Sequence, residues 1–308
     1  MNVAWCIDLF SRSPQIIESQ LRFLSNLGEK SKINVTPASL VWSRDLVAGS
    51  MKSGDLDLAN KLINATLSDL KRTTDRYSDR LVFKKPLVVV SSKRTRRSAI
   101  SEFVKKIEIG KFDSLAISTK NRAGLSRWLM GSFSEAVVLQ TELPVLVTNP
   151  NSKIRKISKI FWPIDLAEEI ELSEIRFVMR YAANQKAKVL IYHQILTKME
   201  PAFTTGEFLV ALNPEKSGIL TQAVEEVERK MKIFKKTAES YGVNLTIITQ
   251  ERSVQIEAGI KRASEKKNAS IIIMHSSKSR GKAFLLGSTS RNMIRISNIP
   301  IWVRRGTC

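Results

Sequence analysis

The chain has 308 residues, 43% of them hydrophobic and 26% charged, enough for two domains of ordinary size, each with its own core. No apolar run is long enough to span a bilayer, and an acidic residue as early as Asp8 argues against a secretory signal, so the expected location is cytoplasmic. Lys and Arg number 50 against 29 Asp and Glu, a net charge of +21, which leaves two readings open: a Lys-rich solvated surface, or a surface for polyanions such as nucleic acid.

Val3 to Asp8 reads as a short strand, almost wholly apolar and suited to burial on both faces, with Asp8 at its end. Ser13 and Pro14 open a helix with Ile17, Leu21, Leu24 and Leu27 on one face, ending near Gly28. Residues 32–42 read as a strand weakened by Pro37, and 55–77 as a helix. Pro86 to Val90 is a buried strand, followed directly by Lys93, Arg94, Arg96 and Arg97. A helix through Ile100, Phe103, Val104 and Ile107 leads to the strand Ser114 to Ser118. A loop, a short helix and the strand Val145 to Val147 close this half, and Asn149 to Ser152 form a linker.

The order then repeats. Lys159 to Asp165 is a strand ending in Asp165, and a helix runs through Ile175, Val178 and Met179. Lys188 to Ile195 is a strand, and a long loop contains Pro201, Gly206, Pro214 and Gly218. Leu220, Val224, Val227, Met231, Phe234 and Ala238 form an amphipathic stripe. A strand over 244–250, a helix capped by Ser253 and a strand over 270–275 follow. Alternating strands and helices with apolar strands predict α/β architecture: two similar doubly wound parallel-sheet domains, Rossmann-like, five strands each, over 1–149 and 153–308. Ligands of such sheets bind at the carboxyl ends of strands, where the winding reverses.

Leu129-Met-Gly-Ser-Phe-Ser-Glu135 and Leu285-Leu-Gly-Ser-Thr-Ser-Arg291 are the clearest sign of duplication. Gly131 and Gly287 lie 156 positions apart, and so do Pro144 and Pro300, each of which opens a terminal strand. Asp8 and Asp165 each end the first strand of a half. This pattern, with Arg122 to Arg127 before the first motif, resembles the universal stress protein family in a tandem two-domain form.

ATP-binding members of that family carry Gly, two residues, Gly, nine residues, then Gly-Ser. Such spacing lets backbone N–H groups and a helix N-terminus approach phosphates. The resemblance therefore implies an ATP site at Asp8, Ser118, Asn121, Gly131, Ser132 and Ser134. A second would lie at Asp165, His275, Gly287, Ser288 and Ser290. The two earlier glycines are replaced in both halves, by Ser118 and Asn121 and by Met274 and Ser277. Small Ser and turn-tolerant Asn leave the first site better preserved, and Met274 obstructs the second. A structural reading stands beside this one. The Gly-Ser pairs can serve only as turn and cap, and each Asp can bond nearby turn amides.

Lys93, Arg94, Arg96 and Arg97, with Lys120, Arg122 and Arg127, can form an anion-binding rim. His193 is expected to be packed, whereas His275 falls between the lost glycine positions. Cys6 reads as a buried small hydrophobe, and Cys6 and Cys308 form neither a disulfide framework nor a metal set. No catalytic triad or Walker loop is visible. The expectation is a non-enzymatic stress-response protein without metal or membrane association. Its terminal strands would pair within the chain, as subunits of the family dimerise, and a homodimer fits the same surface. The alternatives are a basic nucleic-acid-binding protein and a weak ATPase or phosphotransfer protein.

Overall fold

The computed structural model describes residues 1–7, 14–28, 32–42, 65, 68, 73–119, 132–166, 170–195, 214–251, 255–276 and 287–305. The elements in chain order are β1 (Asn2–Cys6), α1 (Pro14–Leu27), β2 (Ile33–Trp42), β3 (Leu81–Phe83), β4 (Leu87–Ser91), α2 (Arg96–Ile109), β5 (Ser114–Ser118), α3 (Ser132–Gln140) and β6 (Val145–Thr148). They continue with β7 (Lys159–Pro163), α4 (Leu172–Gln185), β8 (Lys188–Ile195), α5 (Pro214–Ser240), β9 (Leu245–Glu251), α6 (Ile256–Lys266), β10 (Ile271–Ser276), α7 (Ser288–Ile296) and β11 (Ile301–Arg305). Two compact units result: residues 1–157 with 274–308, and residues 158–273.

The first unit is wound around β1, with β2 parallel on one side and β5 parallel on the other. β6 extends the ladder beyond β5, and β3 and β4 follow one another end to end along the outer flank of β2. The doubly wound arrangement places its reversal between β1 and β5. Burial on both faces accounts for the apolar run of β1: Val3, Ala4 and Trp5 are fully enclosed. Trp5 Nε1 donates to Gln20 Oε1 at 2.7 Å, which satisfies its one polar atom inside the core. Burial also pushes the Cys6 thiol far above its ordinary range, so Cys6 packs as a hydrophobe.

Pro37 sits inside β2 without breaking it. Ile33 N–H and the Val35 carbonyl bond outward, to Arg80 and Lys84, while the Ala38 carbonyl faces β1 by accepting from Ile7. Strand alternation therefore turns the position of the missing Pro37 N–H outward, toward Lys84-Lys85-Pro86, where β3 stops and β4 has not begun. β3 has no counterpart among the sequence-based elements, because three residues carry no readable period. The expected helix over 55–77 lies largely outside the described residues and ends in a 3₁₀ turn, Asp75–Tyr77. There Tyr77 donates to Glu18, and burial followed by that bond pushes its hydroxyl up to about 12.

In the second unit β7 lies between β8 and β10, with β9 outside β8, all parallel. Trp162 meets Phe234 of α5 edge-on, with centroids 5.3 Å apart. The long loop expected through Pro214 and Gly218 is shorter than that. α5 begins at Pro214, a residue suited to the first helical position because its missing N–H has no helical partner there. Ser253 lies outside the described residues, and Gln255 holds the N-cap position of α6.

The final elements fold with the first unit. β11 runs antiparallel to β6, with Ile301 opposite Val147, Trp302 opposite Leu146 and Val303 opposite Val145. Arg295 Nη2 of α7 pairs with Glu135 Oε1 of α3 at 3.1 Å. Lys153 N–H donates to the Asn298 carbonyl at 2.8 Å, and Asn149 Nδ2 donates to the Ser297 carbonyl.

Gly259 of α6 lies close against side chains of β8. A Cβ there would press on the Gln194 amide and lie 2.8 Å from the Tyr192 hydroxyl. Those two groups are hydrogen-bonded at 2.9 Å, and Tyr192 donates onward to Gln250 Oε1 at 3.1 Å. Helix propensity favours Ala over Gly by up to about 1 kcal/mol, whereas breaking a buried hydrogen bond costs about 1–3 kcal/mol. Gly259→Ala should therefore destabilise by about 1 kcal/mol in urea unfolding. In a Gln194→Ala background the same change should become neutral or stabilising; an unchanged cost would refute this account.

Candidate functional site

The reversal between β1 and β5 brings the first Gly-Ser-x-Ser helix to the sheet. Ser134 is buried in the first turn of α3, and its Oγ donates to the Ser118 carbonyl at 2.8 Å. Ser118 Oγ in turn donates to the Thr148 carbonyl at 3.2 Å, which also accepts the Thr119 N–H at 2.8 Å. These bonds tie the carboxyl ends of β5 and β6 to the start of α3. The helix has nine residues, and its N-terminal N–H groups and dipole favour an anion at that edge.

Of the residues expected in this site, Ser118 and Ser134 are brought together. Both hydroxyls are engaged by backbone carbonyls: Ser134 holds the helix on β5, and Ser118 ties β5 to β6. Ser132 begins α3, and Asp8, Asn121 and Gly131 lie outside the described residues.

In the second copy, Met274 stands where the first has Ser118, and it is buried. His275 beside it is half-buried. Gly287 occupies the N-cap position of α7 with φ −53° and ψ 151°, a conformation open to any residue, and a Cβ there would meet nothing within 4 Å. Ser288 is exposed and Ser290 buried.

Asp165 follows β7 with its side chain 62% exposed, and its Oδ1 lies 3.9 Å from His193 Nδ1. His193 is buried, and its Nδ1 accepts the Leu166 N–H at 3.2 Å. Lys230 of α5 is also buried, and its Nζ donates to the Leu166 carbonyl at 2.9 Å. The turn carrying Asp165 is thus held from two sides. Lys230 has no signal in the sequence, because a lysine in an amphipathic helix reads as a solvated position.

Among the described residues, no group of three His, Cys, Asp or Glu side chains could hold a metal ion. No described helix is long and apolar enough to cross a membrane.

The sequence model of the Universal stress protein family matches residues 42–149 and again 157–305. A universal stress protein from Archaeoglobus fulgidus DSM 4304 is similar in structure, with a TM-score of 0.63 at 15% identity, covering 98% of this chain and 96% of that one. A functionally unknown protein from Pseudomonas aeruginosa PAO1 is similar at a TM-score of 0.56 and 13% identity, covering 98% of this chain and 92% of that one. At these identities the likeness speaks for the fold. No curated protein matches the chain.

Ser134→Ala removes the donor to the Ser118 carbonyl and should cost about 1 kcal/mol in chemical denaturation. Gly287→Ser supplies a better N-cap in open space, and the expected change is within about 0.5 kcal/mol of zero, on the stabilising side. A loss larger than 1 kcal/mol at Gly287 would show that the glycine has a conformational task.

Proposed function

The chain belongs to the universal stress protein family, and from that premise we propose a non-catalytic, cytoplasmic stress-response protein of two tandem domains, over 1–149 and 153–308, whose first half keeps a nucleotide site for a ligand such as ATP. The observation that carries this reading is the position of α3. Its first turn is bonded to the carboxyl end of β5 through Ser134 and Ser118, beside the reversal where doubly wound sheets take ligands. The replacements at the early glycine positions there are the small residues Ser118 and Asn121.

The second half supports the opposite reading for its own copy. Met274 brings a long buried side chain to the position of Ser118, so nucleotide is assigned to the first half alone. Binding without turnover is favoured by the hydroxyls of Ser118 and Ser134. Each already donates to a carbonyl, and neither is poised as a nucleophile. We read the antiparallel ladder of β6 and β11 as the pairing of the two halves.

The test is the melting temperature of the full chain with millimolar ATP. Ligand at ten times its Kd stabilises by about 1.4 kcal/mol, so the wild type should melt measurably higher with ATP. Ser118→Met, which copies the second half, should abolish that rise. No rise in the wild type sinks the retained site, and ADP release above background that Ser118→Met abolishes would replace binding with ATPase activity.

A further inference from the structure

The positive charge is even along the sequence and uneven in the fold. Residues 1–149 carry 23 Lys and Arg against 14 Asp and Glu, and residues 153–308 carry 27 against 15. The compact units divide the same residues differently. Residues 1–157 with 274–308 hold 33 basic against 14 acidic side chains, a net of +19, while residues 158–273 hold 17 against 15, a net of +2. Residues 274–308 contribute seven basic side chains and no acidic one to the first unit. The basic side chains follow unit size, 33 in 192 residues and 17 in 116, and the asymmetry lies in the acidic ones, 14 against 15, so the larger first unit lacks the carboxylates that neutralise the second.

Within the first unit a dense exposed group follows the outer edge of the sheet. Lys84 and Lys85 precede β4, Lys93 and Arg94 follow it, and Arg96 and Arg97 begin α2; all six are exposed. Lys84, Lys85 and Pro86 have a local explanation, since such residues protect an edge strand from pairing. The other four have none. Arg96 and Arg97 lie in the first turn of α2, where cations oppose the helix dipole and no acidic residue offsets them. None of the four makes a side-chain ion pair or hydrogen bond with a described residue. Yet their backbone is firmly held. Trp42 Nε1 donates to the Lys93 carbonyl at 2.8 Å, and Thr95 Oγ1 caps α2 by accepting the Ser98 N–H at 3.2 Å. Four mutually repelling cations on a fixed turn match a polyanion that approaches from solvent.

We propose that the first unit binds nucleic acid through its phosphate backbone, with the Lys93–Arg97 turn as a contact segment. Phosphate contacts need cations on a fixed scaffold and carry no sequence information, which is what this turn presents. An anionic membrane is the less favoured partner, because stable attachment there needs an inserted apolar face beside the cations. Among the described residues, the exposed large hydrophobic ones of the first unit are few: Met1, Val90, Ile109 and Ile296.

The experiment is fluorescence anisotropy of the full chain with a labelled oligothymidylate of about 20 nucleotides, titrated between about 50 and 200 mM salt. The wild type should bind at low salt, and its log affinity should fall by about 0.7 per phosphate contact for each unit of log salt. Arg94→Glu with Arg96→Glu should weaken binding at least about tenfold and make the salt slope shallower by about 1. Glu at position 96 suits the start of a helix, so this variant should fold; Lys93→Ala with Arg97→Ala gives the same reading with smaller effect. Lys235→Glu with Lys236→Glu changes the charge equally on exposed positions of α5 in the second unit and should stay within about twofold of wild type. Equal losses in the two units would overturn the assigned surface. Absence of salt-sensitive binding, or capture only by phosphatidylserine-containing vesicles, would overturn the proposal outright.

Discussion

The antiparallel ladder between β6 and β11 is the constraint on which the first unit depends. Val145, Leu146 and Val147 face Ile301, Trp302 and Val303, and all six are buried. Either strand alone would leave an apolar edge with unpaired N–H and C=O groups, a template for association with other chains. Pairing removes both edges together. It also draws in what flanks β11: α7 meets α3 through Arg295 and Glu135, and the turn before β11 is bonded to Asn149 and Lys153. The same ladder adds to the charge of the first unit, because residues 274–308 carry seven basic side chains and no acidic one.

The two Gly-Ser-x-Ser helices have a shared sequence and unequal surroundings. In the first copy the second serine is spent on the strand, so the motif stabilises the edge whether or not a ligand is present. In the second copy the corresponding strand position is filled by Met274. One side chain at the end of a strand thus distinguishes two copies of a motif that the repeat alone would treat as equal.

Several polar groups inside the second unit are bonded to one another or to the backbone. Tyr192, Gln194 and Gln250 form a chain beneath Gly259, and His193 and Lys230 fix the turn at Leu166. An enclosed ammonium is costly without acceptors, and the Leu166 carbonyl supplies one. Such groups specify how α5 and α6 lie on the sheet more sharply than apolar packing alone.

Much of this architecture is legible in the chain before it folds. The 156-residue repeat, the apolar strands and the amphipathic helices carry the doubly wound fold, because period and composition are local properties. Pro14 and Gly28 bracket α1 for the same reason. The short β3, the start of α5 at Pro214 and the harmless position of Pro37 are not legible, since each depends on a partner strand or on helix continuation through a turn-like sequence. Nor does a burial pattern mark His193 or Lys230 as turn-holding residues, because their acceptors and donors are backbone groups of a distant segment. Sequence by itself determined the family, the repeat and the total charge. Only the tertiary structure decided where that charge collects, because strand pairing assigns residues 274–308 to a unit that lies more than a hundred positions away along the chain.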